Sequence, residues 1–151
     1  MASVTAPKAF AVRAARATDG NAMAALALQL GYRCTEQEVR KRLRDMKDAS
    51  LYGVFVAVLP RDEVVGWMGA YVFRSVELEP FAEISGLVVN EKLRSRGIGK
   101  ALLKTAEDWA RSVGCAAISV NSNIIRDRAH HFYVSHKYEL VKTQKTFRKS
   151  L

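Results

Sequence analysis

The run Arg94-Ser95-Arg96-Gly97-Ile98-Gly99-Lys100 is the part of the chain whose residue types and spacing best suit chemistry. Its two glycines let the backbone turn tightly and expose its amide N–H groups. A helix starting there adds partial positive charge at its first turn. Arg94, Arg96 and Lys100 add formal charge. Together these features predict a pocket for a pyrophosphate. The run is not a Walker A loop, because no Gly-Lys-Ser/Thr closes it, and it lacks the third glycine of a dinucleotide fingerprint. A glycine-rich helix start without any ligand has the same local spelling, so the neighbouring elements must decide.

Those neighbours are an apolar strand before the run and a long amphipathic helix after it. The strand reads from Phe81 to Val89, and the helix from about Ile98 to Val113, stopped by Gly114. Leu102, Thr105, Trp109 and Val113 recur on one face of that helix. Upstream, Phe10 to Arg13 reads as a strand. Thr18 is the expected cap of a helix from Asp19 to Leu30, ended by Gly31-Tyr32. Thr35 and Glu38 form a capping-box pair for a second helix, to about Lys47. Tyr52 to Leu59 and Val64 to Val76 read as strands joined by the turn Pro60-Arg61-Asp62-Glu63, an antiparallel hairpin. Downstream come a short strand from Ala116 to Val120 and a helix from Arg126 to Ser135. Paired strands are expected near Tyr138 to Val141 and Gln144 to Arg148. The order βααβββαβαββ predicts one α/β domain over residues 1–151 with a mixed central sheet, parallel across Phe81 to Val120.

At 151 residues there is room for one sizeable core. Charges interrupt every apolar run before it reaches membrane-spanning length, so no membrane partner is expected. Met1 to Lys8 has no apolar stretch of signal-peptide length, which makes a cytoplasmic protein the default expectation. Cys34 and Cys115 lie in no Cys/His cluster, so reduced thiols and no metal are expected. The net charge of +9 suits phosphates, acidic molecules or nucleic acid, and equally suits a merely solvated surface. No helix-turn-helix, zinc or RNP pattern supports nucleic acid.

Arg94-Ser95-Arg96-Gly97-Ile98-Gly99 resembles the (Gln/Arg)-x-x-Gly-x-(Gly/Ala) acetyl-coenzyme A motif of the GNAT superfamily of N-acetyltransferases. Ile84 to Asn90 resembles that family's fourth strand, and Ala129-His130-His131-Phe132-Tyr133 through Tyr138 its last helix and the strand beyond. The resemblance implies the GNAT fold and acetyl-CoA as co-substrate. It implies splayed fourth and fifth strands, with the pantetheine arm on backbone groups of Leu87, Val88 and Val89. Gly86 suits the bulge this needs. The side chains of Leu87 and Val89 are expected in the core. The pyrophosphate is expected on the amides of Arg94, Ser95, Arg96, Gly97, Ile98, Gly99 and Lys100. Asn123 is the expected pantetheine-side asparagine, with Asn121 as the alternative register. Tyr133 matches the tyrosine that protonates the departing thiolate, and Glu83 is the candidate general base, directly or through water. A solvated glutamate, a turn asparagine and a core tyrosine are the bland alternatives at these positions. Lys137 stands where the family usually has glycine.

The resemblance thus implies transfer of acetyl to a primary amine by direct attack in a ternary complex. The acceptor, a small-molecule or peptide amine, is expected near Leu30-Gly31-Tyr32, Tyr52, Trp67, Met68, Tyr71 and Phe73. The basic charge weighs mildly against a polycationic aminoglycoside acceptor. A non-catalytic acetyl-CoA-binding module, or an aminoglycoside-type acetyltransferase, is the alternative, and a homodimer is a family-level expectation.

Overall fold

A computed structural model of the chain describes residues 9–151. Met1 to Lys8, which carried the reading of the N-terminus, lies outside the described residues. The chain divides into two compact units, one ending at Asn121 and the other spanning Ser122–Leu151.

The first unit holds a five-stranded sheet of strands β1 (Ala11–Ala14), β2 (Tyr52–Leu59), β3 (Glu63–Phe73), β4 (Phe81–Val89) and β5 (Ile118–Val120), in that spatial order. The first three pairings are antiparallel, and β4 with β5 is parallel. Helix α3 (Ile98–Ser112) supplies the crossover between β4 and β5, as a parallel pair requires. Helices α1 (Gly20–Gln29) and α2 (Glu36–Asp45) precede β2.

The sheet is covered on both faces. On one, Met23 of α1 and Val39 of α2 pack with Val56 and Val58 of β2, joined by Val54, Val64 and Trp67. On the other, α3 presents Leu102, Leu103, Ala106, Trp109 and Ala110, all buried. The glycines show how closely this second layer approaches. A Cβ on Gly53 would stand 2.6 Å from the Trp109 ring, and one on Gly66 would stand 3.3 Å from Leu102. Fully burying such side chains contributes about 1.5–3 kcal/mol each.

Several local expectations hold. Glu38 N–H donates to Thr35 Oγ1 at 3.1 Å, and Thr35 N–H donates to Glu38 Oε2 at 2.9 Å, so the capping box starts α2. Gly31 takes φ 99° just after α1. Thr18, however, does not cap α1. It lies within a 3₁₀ turn, Ala17–Asp19, and Asp19 occupies the cap position. The Asp19 carboxylate, almost fully buried, accepts from both Arg13 Nη atoms at 2.8 Å and from Arg16 N–H at 2.7 Å. Arg13 also donates to both oxygens of Asp62 at 3.0 Å. This guanidinium therefore ties β1 to the start of α1 and to the turn between β2 and β3.

Strand β3 ends at Phe73 rather than Val76. Phe73 and Phe81 close the β3–β4 ladder, with stacked rings 4.9 Å apart. Val76 beyond them is fully exposed.

The second unit contains helix α4 (Asp127–Ser135). The two strands expected after it are not formed among the described residues, and residues 138–151 carry no helix or strand. Alternation alone does not make a strand; a hydrogen-bonding partner is also needed. Tyr138 N–H instead donates to Tyr133 O at 3.0 Å, closing the helix end. Lys137 adopts φ 69° there, the left-handed turn for which the resemblance implies glycine.

Candidate active site

The predicted pyrophosphate run is a left-handed double bend leading into α3. Ser95 has φ 64° and Gly97 has φ 84°. Gly97 is the N-cap of α3 and makes no side-chain cap hydrogen bond. The first bond of the helix runs from Ala101 N–H to Gly97 O at 3.1 Å. The amides of Ile98, Gly99 and Lys100 thus lie in the first turn, which an α-helix leaves without internal acceptors. Arg94, Arg96 and Lys100 are exposed beside them. A Cβ on Gly97 would meet nothing within 4 Å, so it is the backbone angle that calls for glycine.

Strand β4 leads to this bend with one edge open. Its ladder with β5 covers only Ala82↔Ile118, Glu83↔Ser119 and Ile84↔Val120. From Gly86 to Val89, β4 is paired to β3 alone among the described strands. The backbone groups of Leu87, Val88 and Val89 border that open edge. A bulge marks the change: Gly69 faces Gly86 and Ala70 faces Ile84, leaving Ser85 as the extra residue. The bulge falls beside Gly86, as expected. Gly86 is also needed for space, because a Cβ there would stand 2.9 Å from the Trp67 ring. The core side chain of this stretch is Val88; Leu87 and Val89 are only half-buried, which corrects the sequence expectation.

Glu83 is not a loosely solvated glutamate. The Tyr71 hydroxyl donates to Oε2 at 2.6 Å, and Asn121 Nδ2 donates to Oε1. Burial first, and then the neighbouring carboxylate, pushes the Tyr71 phenol up to about 12. Tyr52, Tyr71, Glu83 and Ser119 form one row across four strands, each opposite the next. That row lies on the α1–α2 face, the side to which Val54 and Trp67 belong.

Two residues expected at the acceptor have other employment. Met68 is fully buried on the opposite, α3-facing side. Trp67 donates from Nε1 to Met23 O at 3.1 Å and packs in the core.

The Tyr71–Glu83 pair was hidden from sequence reasoning by the end of β3. Counting back from a closing pair at Phe73 and Phe81 sets Tyr71 opposite Glu83, whereas a strand carried to Val76 pairs Tyr71 elsewhere.

In the second unit, the Tyr133 ring packs edge-on to Phe132 at 5.3 Å and lies 5.6 Å from the Tyr138 ring. Burial pushes its phenol up to about 12, against a smaller lowering by Arg126. Asn123 serves a local turn. Its Oδ1 accepts from Ile125 N–H at 3.2 Å, and its carbonyl accepts from Arg126 N–H at 3.0 Å. His130 Nε2 stands 2.9 Å from that carbonyl, and His136 Nδ1 stands 2.8 Å from Phe132 O. These two histidines serve the helix and its entry.

The strand–bend–helix arrangement belongs to a mixed five-stranded α/β fold. The acetyltransferase (GNAT) family matches residues 21–138, crossing the boundary between the two units, and the chain belongs to that family. It is 26% identical over 152 residues to the aminoglycoside N(6')-acetyltransferase type 1 of Klebsiella aerogenes, covering 93% of this chain and 96% of that protein. It is 35% identical over 82 residues to the aminoalkylphosphonate N-acetyltransferase of Salmonella typhimurium, covering 54% of this chain and 53% of that protein. Among solved structures, an aminoglycoside N-acetyltransferase in complex with CoA superposes with a TM-score of 0.82 at 16% identity, covering 94% of this chain and 95% of that one.

Proposed function

We propose that the protein transfers the acetyl group of acetyl-CoA to a primary amine of a small molecule, by direct attack in a ternary complex. The observation that carries this reading is the open edge of β4 running through the Ser95–Gly97 bend into the uncapped start of α3. An extended pantetheine can add to such an edge as a strand does, and a pyrophosphate suits the first-turn amides. Leu87, Val88 and Val89 would offer backbone groups to the arm. Arg94, Ser95, Arg96, Gly97, Ile98, Gly99 and Lys100 would hold the phosphates. Asn123 is assigned to the arm, with its Oδ1 already accepting from Ile125 N–H.

A primary amine with a pKa near 10 is almost wholly protonated at neutral pH. Glu83 accepts that proton, directly or through a water. The freed nitrogen lone pair attacks the thioester carbonyl carbon. The C–N bond forms, the C–S bond breaks, and the electron pair leaves on sulfur. Tyr133 hydrogen-bonds the sulfur as its charge grows and gives it the proton, and the second proton released from the new amide nitrogen restores the phenol. A phenol raised to about 12 keeps that proton available throughout the neutral range.

The aminoglycoside and aminoalkylphosphonate acetyltransferases named above act on two different amines by name, and both amines are small molecules. The test is coenzyme A thiol release with a panel of neamine, 2-aminoethylphosphonate and a short peptide. Turnover of a small amine supports the proposal. If acetyl-CoA raises the melting temperature but no amine is turned over, the protein is a binding module. If acetyl-CoA leaves the melting temperature unchanged, the donor assignment is wrong.

A further inference from the structure

The two oxygens of Glu83 each receive a donor, from opposite sides of β4. Tyr71 comes from β3, where it stands directly opposite Glu83. Asn121 comes from just past the end of β5, two residues beyond Ser119, which faces Glu83 from that side. The carboxylate is therefore gripped across three strands. It cannot rotate about its terminal torsion without losing both hydrogen bonds. A carboxylate has about four lone-pair sites, so two remain for an incoming amine or its water.

We infer that Tyr71 and Asn121 are positioning residues that hold the Glu83 carboxylate in one orientation for the acceptor amine. This rests on the reading of Glu83 as the proton acceptor. Neither grip residue competes for the proton. An amide does not titrate, and the Tyr71 phenol is raised to about 12 by burial and by Glu83, so it remains a donor. Around the grip the surface is aromatic, with Tyr52 opposite Tyr71 in the same row and the stacked Phe73–Phe81 pair in the next. Two strong donors on one half-exposed carboxylate are more than the fold needs there. The core packs through Val56, Met68 and Leu102 instead, all fully buried.

The experiment measures kcat and both KM values with the best amine of the panel, for Tyr71→Phe, Asn121→Ala, Glu83→Gln and the double variant Tyr71→Phe/Glu83→Gln. Each single grip variant should lower kcat roughly tenfold, the worth of one charge-assisted hydrogen bond. KM for acetyl-CoA should stay within about twofold, since the grip does not touch the donor. In the Glu83→Gln background, Tyr71→Phe should cost nothing further, because it acts only through the carboxylate. A slow Glu83→Gln beside wild-type rates for Tyr71→Phe and Asn121→Ala overturns the positioning inference alone. So do losses that multiply in the double variant, the mark of a merely structural role. A wild-type rate for Glu83→Gln, or turnover of no amine, overturns the reading of Glu83 and the inference with it. Asn121 is exposed, so its variant tests the grip even if Tyr71→Phe folds poorly.

Discussion

Tyr71 and Glu83 face each other across the β3–β4 ladder, joined by a 2.6 Å hydrogen bond from the phenol to the carboxylate. The pair stands two rows from the bulge at Ser85, beyond which β4 has no partner on its β5 side among the described strands. The proposed base and the proposed donor edge are therefore successive stretches of one strand. Glu83→Gln keeps the shape of the side chain and removes its basicity. It should lower kcat about 100-fold or more while changing KM for acetyl-CoA little, as read from steady-state thiol release.

Tyr133→Phe should lower kcat by about 10- to 100-fold at every pH tested. The sign of its pH dependence follows from the raised phenol. With a value of about 12, Tyr133 holds its proton below that pH and should add no basic limb between pH 6 and 10. Profiles of wild type and Tyr133→Phe should then be parallel. A basic limb that vanished in the variant would show that the phenol loses its proton within this range, well below about 12.

Gly97→Ala probes the bend without adding a clash, since a Cβ there meets nothing within 4 Å. The cost is the left-handed backbone at φ 84°, about 1–2 kcal/mol. Either the helix start stays in place and the protein loses that much stability, or the bend relaxes and the amides turn away. Calorimetric titration with coenzyme A should show about tenfold weaker binding in the second case. The reverse substitution belongs at Lys137, with φ 69°. Lys137→Gly should raise stability by about 0.5–1 kcal/mol in denaturant titration.

Asp19 should set much of the acid sensitivity. Burial pushes its carboxyl up, but hydrogen bonds from Arg13 and the Arg16 amide outweigh this and hold it below the usual range. A depressed carboxylate contributes stability above the unfolded value, about 3.9, and loses it as pH falls through the folded one. Asp19→Asn should therefore cost about 2 kcal/mol at pH 7, less than a wholly abandoned buried charge because Arg13 keeps Asp62. Melting temperatures should differ by about 6 °C at neutral pH and converge as the pH falls below the unfolded value of about 3.9 and through the lowered folded one.

Much of the architecture was legible in local signals. β2, β4 and the start of α3 fall where the residue pattern sets them, because apolar periodicity and turn residues act over a few positions. The Thr35–Glu38 box is equally local. Thr18 misled because a nearby arginine, Arg13, recruits Asp19 and builds a different entry to α1. The strands expected after Tyr138 misled because alternation says nothing about a partner.

By itself, the sequence determined most of the elements, the family and the glycine bend before α3, since glycines at a helix start act through their own backbone. Only the tertiary structure decided which residues work together. The bulge at Ser85 shifts the alternation of β4 by one, so Glu83 and Val88, an odd number apart, lie on the same face. Register then sets Tyr71 against Glu83 and brings Asn121, rather than Asn123, to its other oxygen. Pairing register depends on where a ladder closes and where a residue is inserted. A one-residue change there redirects every side chain beyond it, which no local pattern records.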